Sequence, residues 1–157
     1  MNNMNEFMRI ALDEAFKGMN SGKGGPFGAV IVQNGAIIVA SHNQVLSTND
    51  PTMHAEIAAI RIASEKLGRF DLSDCEIYST CQPCPMCLGA IFWAKIPKLY
   101  YGCTEQDAEK IGFADKFIYD FIRDGDCKGK LEIVKINREE CLEAFKIWEN
   151  KTDRTEY

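Results

Sequence analysis

Between residues 5 and 19 apolar side chains recur every three to four positions, with Met8, Leu12, Phe16 and Met19 on one line and Phe7, Ala11 and Ala15 beside it. That period predicts an amphipathic helix. The run Ser21-Gly22-Lys23-Gly24-Gly25-Pro26 breaks it; because this loop leads into a strand rather than a helix N-terminus, it reads as a turn and not as a phosphate cradle. Residues 27–33 and 36–41 are β-rich and flank Asn34-Gly35, the strongest short-range signal for a tight antiparallel hairpin. Asp50-Pro51 offers a capping carboxylate and a proline suited to the first helical position, predicting a helix through about Leu67 that Gly68 stops. Further along, residues 76–80 read as a strand, 84–93 as a helix, 98–102 as a fourth strand and 104–111 as a short helix. Asp115 caps a turn through Phe121, and 131–136 reads as a fifth strand. In a last helix over 138–149, Cys141, Phe145 and Trp148 share a stripe that reads as core or interface. A hairpin followed by strands alternating with helices implies an α/β fold: a three-layer α/β/α sandwich around one central five-stranded mixed sheet.

Length and charge narrow the picture. The 157 residues, 46% of them hydrophobic, suit one domain over residues 1–149, followed by a polar segment, 150–157, whose composition is that of a frayed tail. Net charge is −5 and no run of Lys and Arg occurs, which favours a small uncharged substrate over a long phosphate backbone. No apolar run approaches membrane-spanning length, and no signal peptide is visible because Asn5, Glu6 and Arg9 interrupt the first apolar residues. Seven cysteines without a regular framework point to a reducing compartment, the cytoplasm.

Candidate chemistry concentrates in two segments, His54-Ala55-Glu56 and Pro83-Cys84-Pro85-Met86-Cys87. Zinc prefers nitrogen and sulfur donors in a tetrahedron, and a catalytic site uses three of them and leaves one corner open. His54, Cys84 and Cys87 supply three. Glu56 remains as a carboxylate able to take a proton from water at that corner and pass it on. H-x-E followed by P-C-x-x-C is a signature of zinc nucleobase deaminases. Other readings stay open at this stage. Cys81 extends the run to C-x-x-C-x-x-C and could close a structural site of three thiolates and one imidazole, and the cysteines could simply be buried. An iron–sulfur cluster would need a further cysteine where the chain has Leu88-Gly89-Ala90-Ile91. His54 and Glu56, two apart on a helix, diverge by about 200° and can converge only around its N-terminal rim. His42, ending a strand, reads as a surface or loop residue rather than a ligand. Cys75, Cys103, Cys127 and Cys141 read as packing or surface positions.

On these motifs the chain resembles the cytidine deaminase-like superfamily over most of its length, and within it the short bacterial guanine deaminases. The stretches 49–56 and 83–91 are similar to motifs found widely in that superfamily, tRNA adenosine deaminases included. Gly24-Gly25-Pro26-Phe27-Gly28-Ala29-Val30, the segment 112–119 and the terminal Glu156-Tyr157 lean toward guanine. The resemblance implies one zinc per chain, stacking of Phe27 on the purine, a hydrogen bond from Asn43, and contact of Asp115 with the amino-bearing edge together with help in proton transfer. It also implies a homodimer in which residues 150–157, ending in Tyr157, fold over an active site, in that family often the neighbouring subunit's. Gln82 departs from the pattern, since many relatives carry Glu there. The implied reaction is hydrolysis of guanine to xanthine and ammonia. Alternatives are a tRNA adenosine deaminase, a guanosine or cytosine deaminase, and, in another class, a zinc-stabilised interaction module without catalysis.

Overall fold

The computed structural model describes residues 4–125 and 129–157; Cys127 lies outside the described residues. Helix α1 (Glu6–Asn20) leads into strands β1 (Gly28–Gln33) and β2 (Ala36–His42), the short helix α2 (Val45–Thr48) and helix α3 (Ala55–Leu67). Strand β3 (Cys75–Cys81), helix α4 (Pro85–Trp93), strand β4 (Lys98–Cys103), and helices α5 (Glu105–Lys110), α6 (Lys116–Asp124) and α7 (Arg138–Glu149) complete the order. The sheet runs β2-β1-β3-β4. β1 is antiparallel to both β2 and β3, and β3 is parallel to β4. Asn34 and Gly35 both have positive φ, 49° and 77°, as a hairpin turn matched to strand twist requires.

Strand alternation splits the core in two. Ala29, Ile31 and Ile77 face α3 and α4, among Ala55, Ala59, Ala63 and Ile91, whereas Val30, Val32 and Tyr78 face Ala11 of α1. This is the expected three-layer arrangement.

The structure corrects several expectations. Among the described residues the sheet has four strands, not five: residues 131–136 pair with no strand, and their side chains are exposed. Their β-rich composition does not suffice, because a strand is stabilised by pairing and none among the described residues pairs with them. The buried face of α1 is Ala11, Ala15 and Gly18, while Phe16 and Met19 of the predicted stripe are exposed. Small residues win that face because the helix lies close on the sheet, where a Cβ on Gly28 would come within 1.9 Å of the Ala11 carbonyl oxygen. Asp50-Pro51 does not begin α3. Asp50 Oδ1 instead accepts hydrogen bonds from the Thr52 backbone N–H (2.8 Å) and hydroxyl (2.7 Å), closing a turn of its own. The helix then starts at Ala55, with His54 as its N-cap. The apolar stripe of α7 stays largely exposed, and no residue of that helix is buried.

Candidate active site

Two helix starts meet at the sheet. His54 caps α3 with φ −65° and ψ 162°, and Cys84 caps α4 with φ −63° and ψ 167°. The His54 side chain makes no hydrogen bond to its own helix, while Cys84 bonds with Cys87 one turn along α4. Pro85 at the first position of α4 gives up only an N–H that would be unpaired there. Cys87, three residues beyond Cys84, is on the same face.

His54 Nδ1 lies 3.6 Å from Cys84 Sγ and 3.5 Å from Cys87 Sγ. Zinc bonds of about 2.3 Å to sulfur and about 2.0 Å to nitrogen, at a tetrahedral angle, hold the two atoms about 3.5 Å apart. The donor set therefore fits zinc in both element and spacing. Among the described residues these three form the one group of this kind, their donor atoms all within 4.8 Å of one another. Cys81 is not a fourth ligand. Its Sγ faces the Thr104 carbonyl at 3.7 Å, and burial foremost pushes its thiol up to about 11.

Sharing of protons among the three donors follows the same geometry. Cys84 is held down to about 4, first by the hydrogen bond from Cys87, with burial opposing and His54 adding to the lowering. Cys87, the donor of that bond and buried, is pushed far up. His54 is raised, first through its bond with Cys84. A metal bound by both sulfurs displaces their protons outright. The positive ends of two helices assist.

Glu56, only 6% exposed, is the second residue of α3. Ser79 Oγ lies 3.0 Å from Glu56 Oε1 and 2.7 Å from the Cys81 carbonyl oxygen. Burial raises the Glu56 pKa, with its own backbone N–H and Ser79 opposing. When protonated, Glu56 can donate to Ser79 while Ser79 donates to Cys81, so both protonation states find partners. Sequence reading missed Ser79; the available signal was a hydroxyl in line with Cys75 and Ile77 on the apolar side of the strand.

Of the remaining predicted residues, Asp115 is near enough to His54 and Cys84 for their charges to interact, Phe27 and Asn43 are held to each other, and one stands apart. Phe27 and Asn43 are joined by the Asn43 backbone N–H donating to the Phe27 carbonyl at 3.0 Å, and Asn43 Oδ1 accepts from the Val45 N–H at 3.1 Å. The Phe27 ring meets Phe113 edge-on, centroids 4.9 Å apart. Asp115 lines a cavity of about 140 Å³ with Glu105, Gln106, Glu109 and Lys116. Its pKa is raised by burial first and then by the charges of Cys84, Glu105 and Glu109. Tyr119 of α6 donates to the Pro83 carbonyl at 3.2 Å, tying the helix that Asp115 precedes to the cysteine loop. Gln82 Oε1 accepts from the Glu105 N–H at 3.4 Å, a contact that needs an oxygen but not a charge. Tyr157 is the exception. Its ring packs by Phe70 and Trp93, centroids 6.2 and 6.1 Å away, at the C-terminal ends of α3 and α4. That is the opposite end of both helices from His54 and Cys84, about 20 Å along α3.

Residues 1–103 match the zinc-binding region of the cytidine and deoxycytidylate deaminases, and with the three donors placed as above, the chain belongs to that family of zinc-dependent hydrolases. Within it, the chain is 44% identical over 155 residues to the guanine deaminase of Bacillus subtilis, covering 99% of both. The X-ray structure of guanine deaminase from that organism superposes with a TM-score of 0.92 over 98% of this chain and 99% of that one. A tRNA-specific adenosine deaminase of Agrobacterium fabrum is 44% identical over 99 residues, 63% of this chain and 64% of its own.

Proposed function

We propose that the chain hydrolyses guanine to xanthine and ammonia, with one zinc per chain on His54, Cys84 and Cys87. The observation that carries this reading is the likeness to a guanine deaminase along essentially the whole chain, C-terminal third included. Bound there, zinc polarises a water and lowers its pKa. The two sulfurs neutralise the charge of the ion, which leaves proton removal to a neighbouring base. Glu56 is that base. Its carboxylate takes one proton from the attacking water and delivers it to the ring nitrogen beside C2 as the new C–O bond forms. The C–N bond to the exocyclic amine then breaks, and ammonia leaves with the second water proton, passed on by Glu56 with Asp115 at the amino edge. Phe27 stacks on the purine, and Asn43, its amide plane fixed by Val45, hydrogen-bonds the ring.

The active unit is a homodimer with exchanged C-terminal segments. Two observations support this: α7 carries Phe145 and Ile147 at 72% and 71% exposure, and Tyr157 stands at the far end of α3 from its own donor trio. A Tyr157 that closes over a purine therefore does so in the partner's site. The substrate is a free small molecule, with no nucleic acid or membrane involved, and no helix among the described residues is long and apolar enough to cross a bilayer. The six described cysteines carry free thiols, in keeping with a cytoplasmic protein.

The test is ammonia release from the zinc-loaded protein, screened over guanine, guanosine, adenine, cytosine and a tRNA anticodon stem. Guanine is expected to be turned over fastest. Glu56→Ala should keep its zinc and lose about 10²–10⁴-fold in kcat. Preferred turnover of the tRNA stem would establish the adenosine deaminase reading instead.

A further inference from the structure

His42 is not the surface residue its position suggested. It is 6% exposed, and its Nδ1 lies 2.6 Å from Oε2 of Glu14 on α1. A carboxylate oxygen accepts, so Nδ1 carries the proton. The other carboxylate oxygen takes the Lys17 ammonium at 3.1 Å. Partial burial pushes Glu14 up, but the bonds from His42 and Lys17 outweigh it and hold the carboxyl below its usual range. The imidazole lies flat against α1, where a Cβ on Gly18 would come within 2.6 Å of two ring carbons. Its Nε2 is buried with no partner among the described residues. The mechanism uses none of these groups.

Their place in the sheet gives them a consequence. His42 pairs with Gly28 on β1, and both face α1. The next residue, Asn43, leaves the strand directly after His42 and is itself buried, its Oδ1 accepting from the Val45 N–H. Asn43 sits where the ladder ends: its N–H to Phe27 is the last rung, and the chain turns at once into α2. Gly24 presses on it, since a Cβ there would lie 2.1 Å from Asn43 Oδ1. Beyond these contacts, the place of the Asn43 backbone is set by the residue before it.

We infer that Glu14 and His42 are a positioning pair: the carboxylate–imidazole bond pins the end of β2 to α1 and thereby sets the aim of Asn43 at the purine. The inference rests on the guanine reading and on Asn43 as a ring contact. Neither residue touches the substrate. Losing the pair relaxes binding of the ring and leaves proton transfer by Glu56 alone.

The test measures KM and kcat for guanine, together with the Kd of 8-azaguanine by calorimetry, on zinc-loaded protein. Glu14→Leu and His42→Leu are each expected to raise KM and Kd about tenfold with kcat within about twofold, the pattern of lost ring binding. The double variant should be no worse than either single one, because both remove the same bond. His42→Asn keeps an N–H near the Nδ1 position and should hold both constants within about twofold of the parent. Unchanged KM and Kd in the two leucine variants, or His42→Asn as impaired as His42→Leu, overturns the inference. Should the leucine variants give no folded protein, Glu14→Gln decides: it keeps the shape and loses the charge, and Kd must rise by about threefold, in line with the stronger bond a charged acceptor makes. Asn43→Ala separates the two readings. An unchanged Kd there overturns Asn43 as a ring contact, whereas a raised Kd there beside unchanged leucine variants overturns the positioning pair alone.

Discussion

At the scale of single residues, a buried hydroxyl helps to hold Glu56, the base proposed above. Ser79 is 2% exposed and lies 3.0 Å from Glu56 Oε1. Ser79→Ala removes the partner that orients Glu56, and the expected result is a fall in kcat of about tenfold, the order of one buried hydrogen bond to a charged group. Zinc content, read by plasma emission, should stay at one per chain; an undiminished kcat would show that Glu56 needs no such anchor. This scale also shows what a chain reveals before it folds. His54, Cys84 and Cys87 were readable because coordination chemistry demands those residue types at short, fixed spacings. Ser79, Glu14 and His42 were not, since each acquires its role from a partner on another element, and serine, glutamate and histidine are common on surfaces.

At the scale of elements, the end of α3 is tied to the start of β3 and the end of β1 through Asp74. Its carboxylate accepts from one Arg69 guanidinium nitrogen at 2.6 and 2.8 Å and from Gln33 Nε2 at 2.7 Å. The Arg69 and Gln33 bonds lower its pKa to about 2, against about 3.9 for an unstructured Asp. A carboxylate depressed by folding adds stability above its unfolded pKa and loses it as pH falls through the folded one. Asp74→Asn should therefore lower Tm near neutral pH, by about 1–3 °C for so exposed a pair, and the gap to the parent should close as pH drops from about 4 toward 2. A gap that persists at pH 2, measured by circular dichroism melts, would assign the effect to packing. Element types were mostly legible, because period and turn chemistry are local. The start of α3 was not. Asp50 has two uses, as helix cap or as turn closer, and Thr52 decides for the second. That choice matters to the site, for it leaves His54 on extended backbone, where its ring can reach the sulfurs of α4.

At the scale of the whole molecule, the body of the fold and its C-terminal third differ in kind. Residues 7–100 build both core clusters, whereas α7 and the segment after it bury no side chain. Sequence periodicity identified α7 but could not say what its apolar stripe covers, because the face it suits need not belong to the same chain. The exchange between subunits proposed above would supply one, at low cost in new surface. It also makes a sharp prediction about which chain closes which site. Glu56→Ala with its tail intact lacks proton transfer, while a chain ending at residue 149 keeps Glu56 but has no Tyr157 to lend. Each should be nearly inactive alone. Unfolded together in equal amounts and refolded with zinc, half the dimers pair one of each, and in those the site with Glu56 is closed by the other chain's tail. Guanine turnover should recover to about a quarter of the parent level, one competent site in two for half the dimers. A tail that served its own subunit would give no recovery, since the chain with Glu56 would still have nothing to close its site.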